Sequence, residues 1–163
     1  MQVVDRKSSL WRYLTEEIQS LVEDGERLLT DAKEYPKEIS DYSYLVFPFA
    51  KAYEGFLKRL FLDLDMITED EYYGEKIRIG RVLNPFYGKQ DHSVYEKLVA
   101  HEKGGKEATE RLWKIWREGR NQVFHYFPHN FRRLTEEEAF ELIEEFVDSM
   151  EVAVKKFSNE LEV

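Results

Sequence analysis

Residues 41 to 66 read "DYSYLVFPFAKAYEGFLKRLFLDLDM", and apolar side chains occupy nearly every face of a helix drawn through them. Tyr44, Leu45, Val46, Phe47, Phe49, Ala50, Tyr53, Phe56, Leu57, Leu60 and Phe61 leave no broad polar stripe. A helix that is apolar all round belongs in the interior of a larger assembly. The stretch therefore predicts a helix from about Asp41 to Met66 in the middle of a bundle, with Pro48 starting or kinking it.

The flanking segments supply its partners. Trp11, Leu14, Ile18, Leu21, Val22, Leu28, Leu29 and Ala32 recur at helical spacing, which predicts a first helix over about 9–34, with Ser8 or Ser9 as N-cap and Pro36 beyond its end. From Ile67 to His92 the periodicity fades amid Gly74, Gly80, Asn84-Pro85 and Gly88. That segment reads as a loop-rich excursion with one short helix near 76–83. "SVYEKLVAHEKGG" predicts a brief helix ending at Gly104-Gly105, and a further helix spans about 106–124, stopped by Pro128. Thr135 and Glu138 form a capping-box signature for the last helix, which continues through Phe140, Ile143, Val147, Met150, Val154 and Phe157. The expected fold is all-α: one domain over residues 1–163, an up-and-down bundle of four main helices with short helices in an insertion.

Composition narrows the function. The chain has 163 residues, 42% of them hydrophobic, which is enough to bury a core without staples. No cysteine is present, so disulfides, thiolate metal sites and a cysteine nucleophile are excluded. No apolar run is long enough for a membrane span or a signal peptide, which predicts a cytoplasmic protein without membrane contact. A net charge of -9 argues against coating nucleic acid by bulk attraction. Yet from Arg111 to Arg133 the basic residues Arg111, Lys114, Arg117, Arg120, Arg132 and Arg133 face only Glu118. Such an island fits either a local phosphate site or a helix face neutralised by the acidic tail.

Within that island lies "GRNQVFHYF" (119–127). Di-iron Glu-x-x-His pairs, His-Glu-x-x-His, the Gly-x-x-x-x-Gly-Lys loop and the Gly-x-Ser-x-Gly elbow are all missing, and Pro128 separates His125 from His129, so no metal or cofactor is expected. On an ideal helix Arg120 and His125 stand about 140° apart. They converge only if the helix ends between them or if two chains meet. A histidine beside a fixed guanidinium suits cleavage of RNA without metal: histidine exchanges a proton with the 2'-hydroxyl or the leaving 5'-oxygen, and arginine holds the phosphate. With eleven arginines and four histidines in the chain, such a spacing arises by chance often enough to need support.

"RNQVFH" (120–125) resembles the arginine-to-histidine signature of HEPN domains, helical-bundle ribonucleases found in toxins and antiviral systems. "DYSYLVFPFAKAYEGFLK" (41–58) is similar to the matching segment in the C-terminal domain of RNase LS-type (RnlA/LsoA) toxins. The resemblance covers about 41–157 in order and is specific in these two stretches. It implies an active site of Glu54, Arg120 and His125, with Asn121 as polar support, and for Asp41 at most a dimer contact. It further implies an RNA substrate, a homodimer with the two Arg-His motifs facing each other, and an antitoxin or other regulatory protein as partner. Those toxins carry domains before the HEPN unit, whereas this chain starts almost directly at the bundle. "HYF" puts Tyr126 one position ahead of where another HEPN branch has its tyrosine, and Phe127 in that place.

Ordinary structural roles compete at each position. Glu54 could pair with Lys51 or Lys58 on its own helix. Trp113 and Trp116 read as packing residues. Tyr126, Phe127 and Phe131 could stack unpaired bases, and Arg117, Arg132 and Arg133 could guide the RNA backbone, though Arg132 and Arg133 equally suit neutralising Glu136 to Glu138. The expected activity is metal-independent endoribonuclease cleavage of single-stranded RNA; the alternatives are a silent RNA- or protein-binding module and a purely structural partner.

Overall fold

A computed structural model describes residues 1–35, 38–87 and 93–161. Among these residues every regular element is helical: α1 (Ser9–Tyr13), α2 (Glu16–Glu34), α3 (Ser43–Asp63), α4 (Glu69–Tyr73), α5 (Ile79–Val82), α6 (Val94–Ala100), α7 (Lys106–Ile115) and α8 (Glu136–Phe157). The predicted all-α bundle is the observed one. Pro36, read as the stop after the first helix, and Gly88, read as loop punctuation, lie outside the described residues.

α3 is the central helix. Leu45, Val46, Phe49, Ala50, Ala52, Tyr53, Phe56, Leu57, Leu60 and Phe61 are all buried, against α2 on one side and α8 on another. Each large apolar side chain so buried contributes about 1.5–3 kcal/mol before chain entropy is charged against it. Tyr53 is buried without an orphaned hydroxyl, which lies 3.2 Å from both the Leu112 carbonyl and the Ser149 hydroxyl. Burial pushes its pKa up. Pro48 sits inside α3 without ending it. One continuous core runs from Val4 to Leu161, and no helix among the described residues is long and apolar enough to cross a membrane.

Three boundaries depart from expectation, each for a local reason. The single helix over 9–34 is two helices broken at Leu14, whose ψ is 135°. Gln19 explains the break: its side-chain amide donates to the carbonyls of Trp11 (2.8 Å) and Leu14 (3.1 Å), which a continuous helix would have used internally. α4 falls where only loop was expected. Thr68 and Glu71 cap it reciprocally, the same device that Thr135 and Glu138 build at the start of α8. The helix expected over 106–124 is α-helical only to Ile115; Trp116–Asn121 then forms a π-helical turn.

Candidate active site

The π turn is closed by the Gln122 N–H donating to the Arg117 carbonyl at 2.9 Å, an i to i+5 bond. Such turns widen the helix by one residue and recur at functional sites. Packing holds this one. Gly119 lies against the Phe146 ring of α8, so close that a Cβ there would stand 2.4 Å from Phe146 Cζ. Trp116 is buried beside Gly80 of α5. With Trp116 and Gly119 turned inward, Arg120 faces out. Its guanidinium carbon lies 5.3 Å from the Trp116 ring centroid, and its Nε lies 3.7 Å from Glu54 Oε2.

Glu54 therefore pairs across the bundle with Arg120, and no bridge to Lys51 or Lys58 forms among the described residues. The two side chains are 32% and 41% exposed, and an ion pair so wet and so long adds at most about 1 kcal/mol to stability. Its effect is positional. Phe47, Ala50, Lys51 and Glu54 occupy one face of α3 at helical spacing, and with Arg120 and Phe124 they line a groove of about 240 Å³. Phe47 and Phe124 meet edge to face at 5.6 Å, yet Phe47 stays 54% exposed. Lys51, Phe47 and Phe124 were not singled out from the sequence as site residues, because on a helix that reads as apolar all round nothing marks Phe47 as a side chain left exposed.

His125 lies at the bend after the π turn, exposed, with Nε2 3.1 Å from Asn121 Oδ1. When the asparagine oxygen accepts, Nε2 carries the hydrogen and Nδ1 is the nitrogen left to exchange a proton with a ligand. His125 does not line the Glu54–Arg120 groove. The helix does end between Arg120 and His125, but the described contacts form two adjacent pairs, Glu54 with Arg120 and Asn121 with His125, rather than one cluster.

The rest of the basic island is largely occupied. Arg111 pairs with Asp148 of α8, and Arg117 pairs with Glu118 at 2.7 Å. Arg132 donates to Gln122 Oε1 at 2.5 Å and lies 5.0 Å and 5.5 Å from the ring centroids of Phe127 and Phe131. It ties the loop after the π turn to the helix end. Glu138 serves the α8 cap instead of a bridge to Arg132 or Arg133. Trp113 and Trp116 pack on the core, as expected; Tyr126 and Phe131 are 79% and 64% exposed.

Asp41 sets the path of that loop. Its carboxylate accepts from the Ser43 N–H (3.0 Å) and hydroxyl, from Asn130 Nδ2 (2.9 Å) and from the Leu134 N–H (3.2 Å). His129 and Asn130 both hold left-handed backbone, at φ 61° and 48°, which non-glycine residues adopt only when neighbours compensate. These bonds staple the loop to the start of α3. Burial works to raise its pKa, but the bonds from Ser43, Asn130 and Leu134 hold it below the usual carboxylate value. A carboxyl depressed in the folded state adds stability above its unfolded pKa, near 3.9, and loses it as pH falls through the folded value. Asp41→Ala is expected to cost about 1–3 kcal/mol in urea unfolding at neutral pH, with the difference from wild type shrinking once the pH drops below that range. An unchanged unfolding midpoint at neutral pH would remove the staple.

A scan against protein-family models and searches of curated proteins and of solved structures found no match to this chain.

Proposed function

We propose that the chain is a HEPN-type endoribonuclease that cuts single-stranded RNA through the RNA's own 2'-hydroxyl. The observation that carries this reading is the pairing of Glu54 and Arg120. Two residues far apart in sequence, on α3 and on the π turn, meet at one groove, and they are two of the three that the resemblance puts into one active site. Arg120 clamps the scissile phosphate and the charge that builds on it, while Glu54 and the Trp116 ring orient the guanidinium. His125 exchanges the proton: the 2'-hydroxyl gives up its proton as its oxygen attacks phosphorus, the P–O5' bond breaks and the leaving 5'-oxygen takes up a proton, and the product retains a 2',3'-cyclic phosphate. Asn121 fixes the ring of His125.

Because the two pairs stand side by side rather than merged, the active form in this reading is a homodimer. Two such faces opposed across a two-fold axis would bring the His125 of one copy toward the phosphate held by the other. The exposed Phe47, Tyr126 and Phe131 suit such an interface, and an antitoxin or other regulatory protein would act by covering the same face. Cytoplasmic RNA is the expected substrate.

RNA and DNA of one sequence test the chemistry, since only RNA carries the internal nucleophile. Cleavage of the RNA alone is expected; equal cutting of both strands would overturn 2'-hydroxyl attack. The place of His125 outside the groove favours, as the second reading, a module that binds RNA without cutting it. Binding that survives His125→Ala, with no cleavage by the wild type, would select that reading.

A further inference from the structure

Through its first three turns α3 is covered by its neighbours except along one line. From Ser43 to Tyr53 the exposed residues are Tyr44, Phe47 and Lys51, at the i, i+3, i+7 spacing of a single helix face, and half-buried Glu54 continues the line at i+10. A line left in water on a central helix has room for any polar residue. Two of its positions carry aromatic rings instead, and Phe47 keeps half of its surface in water.

The π turn brings the same residue types to the other wall of the groove. Lys51 stands one turn from Phe47 on α3, and Phe124 stands four residues past Arg120, so each wall offers one ring and one cation. The two rings meet edge to face at 5.6 Å, while Arg120 lies beside Glu54. The groove is therefore apolar at one end and charged at the other. Phe47 and Glu54 are separated by a rise of about 10 Å along the helix, the reach of a nucleotide from its phosphate to its base. Charge selects the occupant. Among the groove's residues one carboxylate, Glu54, faces two cations; it is directed to Arg120, and Lys51 makes no ion pair among the described residues. In a chain of net charge -9, such a local positive surplus suits an anionic strand better than the acidic surface of a second copy.

We infer that Phe47 stacks the base next to the phosphate that Arg120 clamps, and that Lys51 holds the strand between them. The inference rests on the active-site reading for the role of Arg120, and it adds a subsite that selects the nucleotide beside the cut. Stacking accepts every base but gains with ring area, so this subsite prefers a purine to a pyrimidine.

The experiment measures binding of the full chain to two short 2'-O-methyl RNAs, one all adenine and one all uracil, which resist 2'-hydroxyl attack. Phe47→Leu, Phe47→Ala and Lys51→Gln are compared with Lys155→Gln, which removes the same charge from the exposed end of α8. Circular dichroism checks the fold and sedimentation the oligomeric state. The wild type should bind the adenine strand more tightly. Both Phe47 variants should lose about tenfold on that strand, and with it the preference. Lys51→Gln should weaken both strands alike and lower the slope of log affinity against log salt by about 0.7, whereas Lys155→Gln should do neither. A Phe47→Leu protein that keeps the preference, a Lys51→Gln protein no different from Lys155→Gln, or a wild type that binds neither strand would overturn the inference. So would a Phe47→Ala protein that passes from dimer to monomer, since the ring would then belong to the contact between copies. The two readings fail separately because these strands are not cut. The expected binding pattern without cleavage of ordinary RNA would strike the chemistry and keep the subsite; cleavage with binding indifferent to Phe47 and Lys51 would strike the subsite alone.

Discussion

Replacing His125 with alanine is expected to lower RNA cleavage by about two to four orders of magnitude while leaving stability within about 0.5 kcal/mol of wild type. The two effects separate because His125 is exposed and its described side-chain partner is Asn121 alone. Nothing in the core depends on it. Arg120→Ala should cost about two to three orders of magnitude through loss of the phosphate clamp. Arg120→Lys should restore little, because an ammonium cannot present the paired donors that a guanidinium sets against a phosphate, and it loses the contact with the Trp116 ring. Rates are read on one RNA under single-turnover conditions, with urea unfolding as the control. A His125→Ala protein that cuts at the wild-type rate would remove the residue from the mechanism.

Gly119→Ala is expected to damage fold and site together. The added methyl would stand 2.4 Å from Phe146 Cζ and 2.9 Å from Cε2, and that ring is fully buried and packed on Tyr53. Overpacking of this kind costs about 1–3 kcal/mol. Relief requires the π turn to slide away from α8, and that turn carries Arg120 toward Glu54. The variant should therefore show a lower urea midpoint and, at temperatures where it remains folded, weaker cleavage than its stability alone explains. Wild-type stability in Gly119→Ala would mean that the turn does not pack on α8 as described.

The elements that were legible in the sequence had strong, local signals. The unbroken apolar surface of 41–66 marked α3 as central, and the Thr135–Glu138 box marked the start of α8. The same box at Thr68–Glu71 went unread because glycines and a fading period surround it, yet it caps the short α4, whose Tyr72 packs against the core. The break at Leu14 depends on Gln19 reaching back to two carbonyls, and the π turn depends on Gly119 meeting a ring on α8. A periodicity count cannot see a side chain that competes for backbone bonds or a contact made across the bundle.

The candidate site was legible in part. Glu54 and Arg120 were paired through resemblance and do meet. Arg132 and Arg117, read as guides for RNA, are held by Gln122 with two phenylalanine rings and by Glu118. Asp41's staple needed the left-handed turn at His129 and Asn130, which a sequence with no glycine there does not announce.

The central claim is that this groove and its neighbouring histidine cut RNA by internal attack without a metal. The most direct measurement is to incubate wild-type protein with end-labelled single-stranded RNA in excess EDTA and determine the chemistry of the new ends. The account predicts fragments that carry a 2',3'-cyclic phosphate and a 5'-hydroxyl. Intact RNA, or fragments ending in a 3'-hydroxyl and a 5'-phosphate, would contradict it.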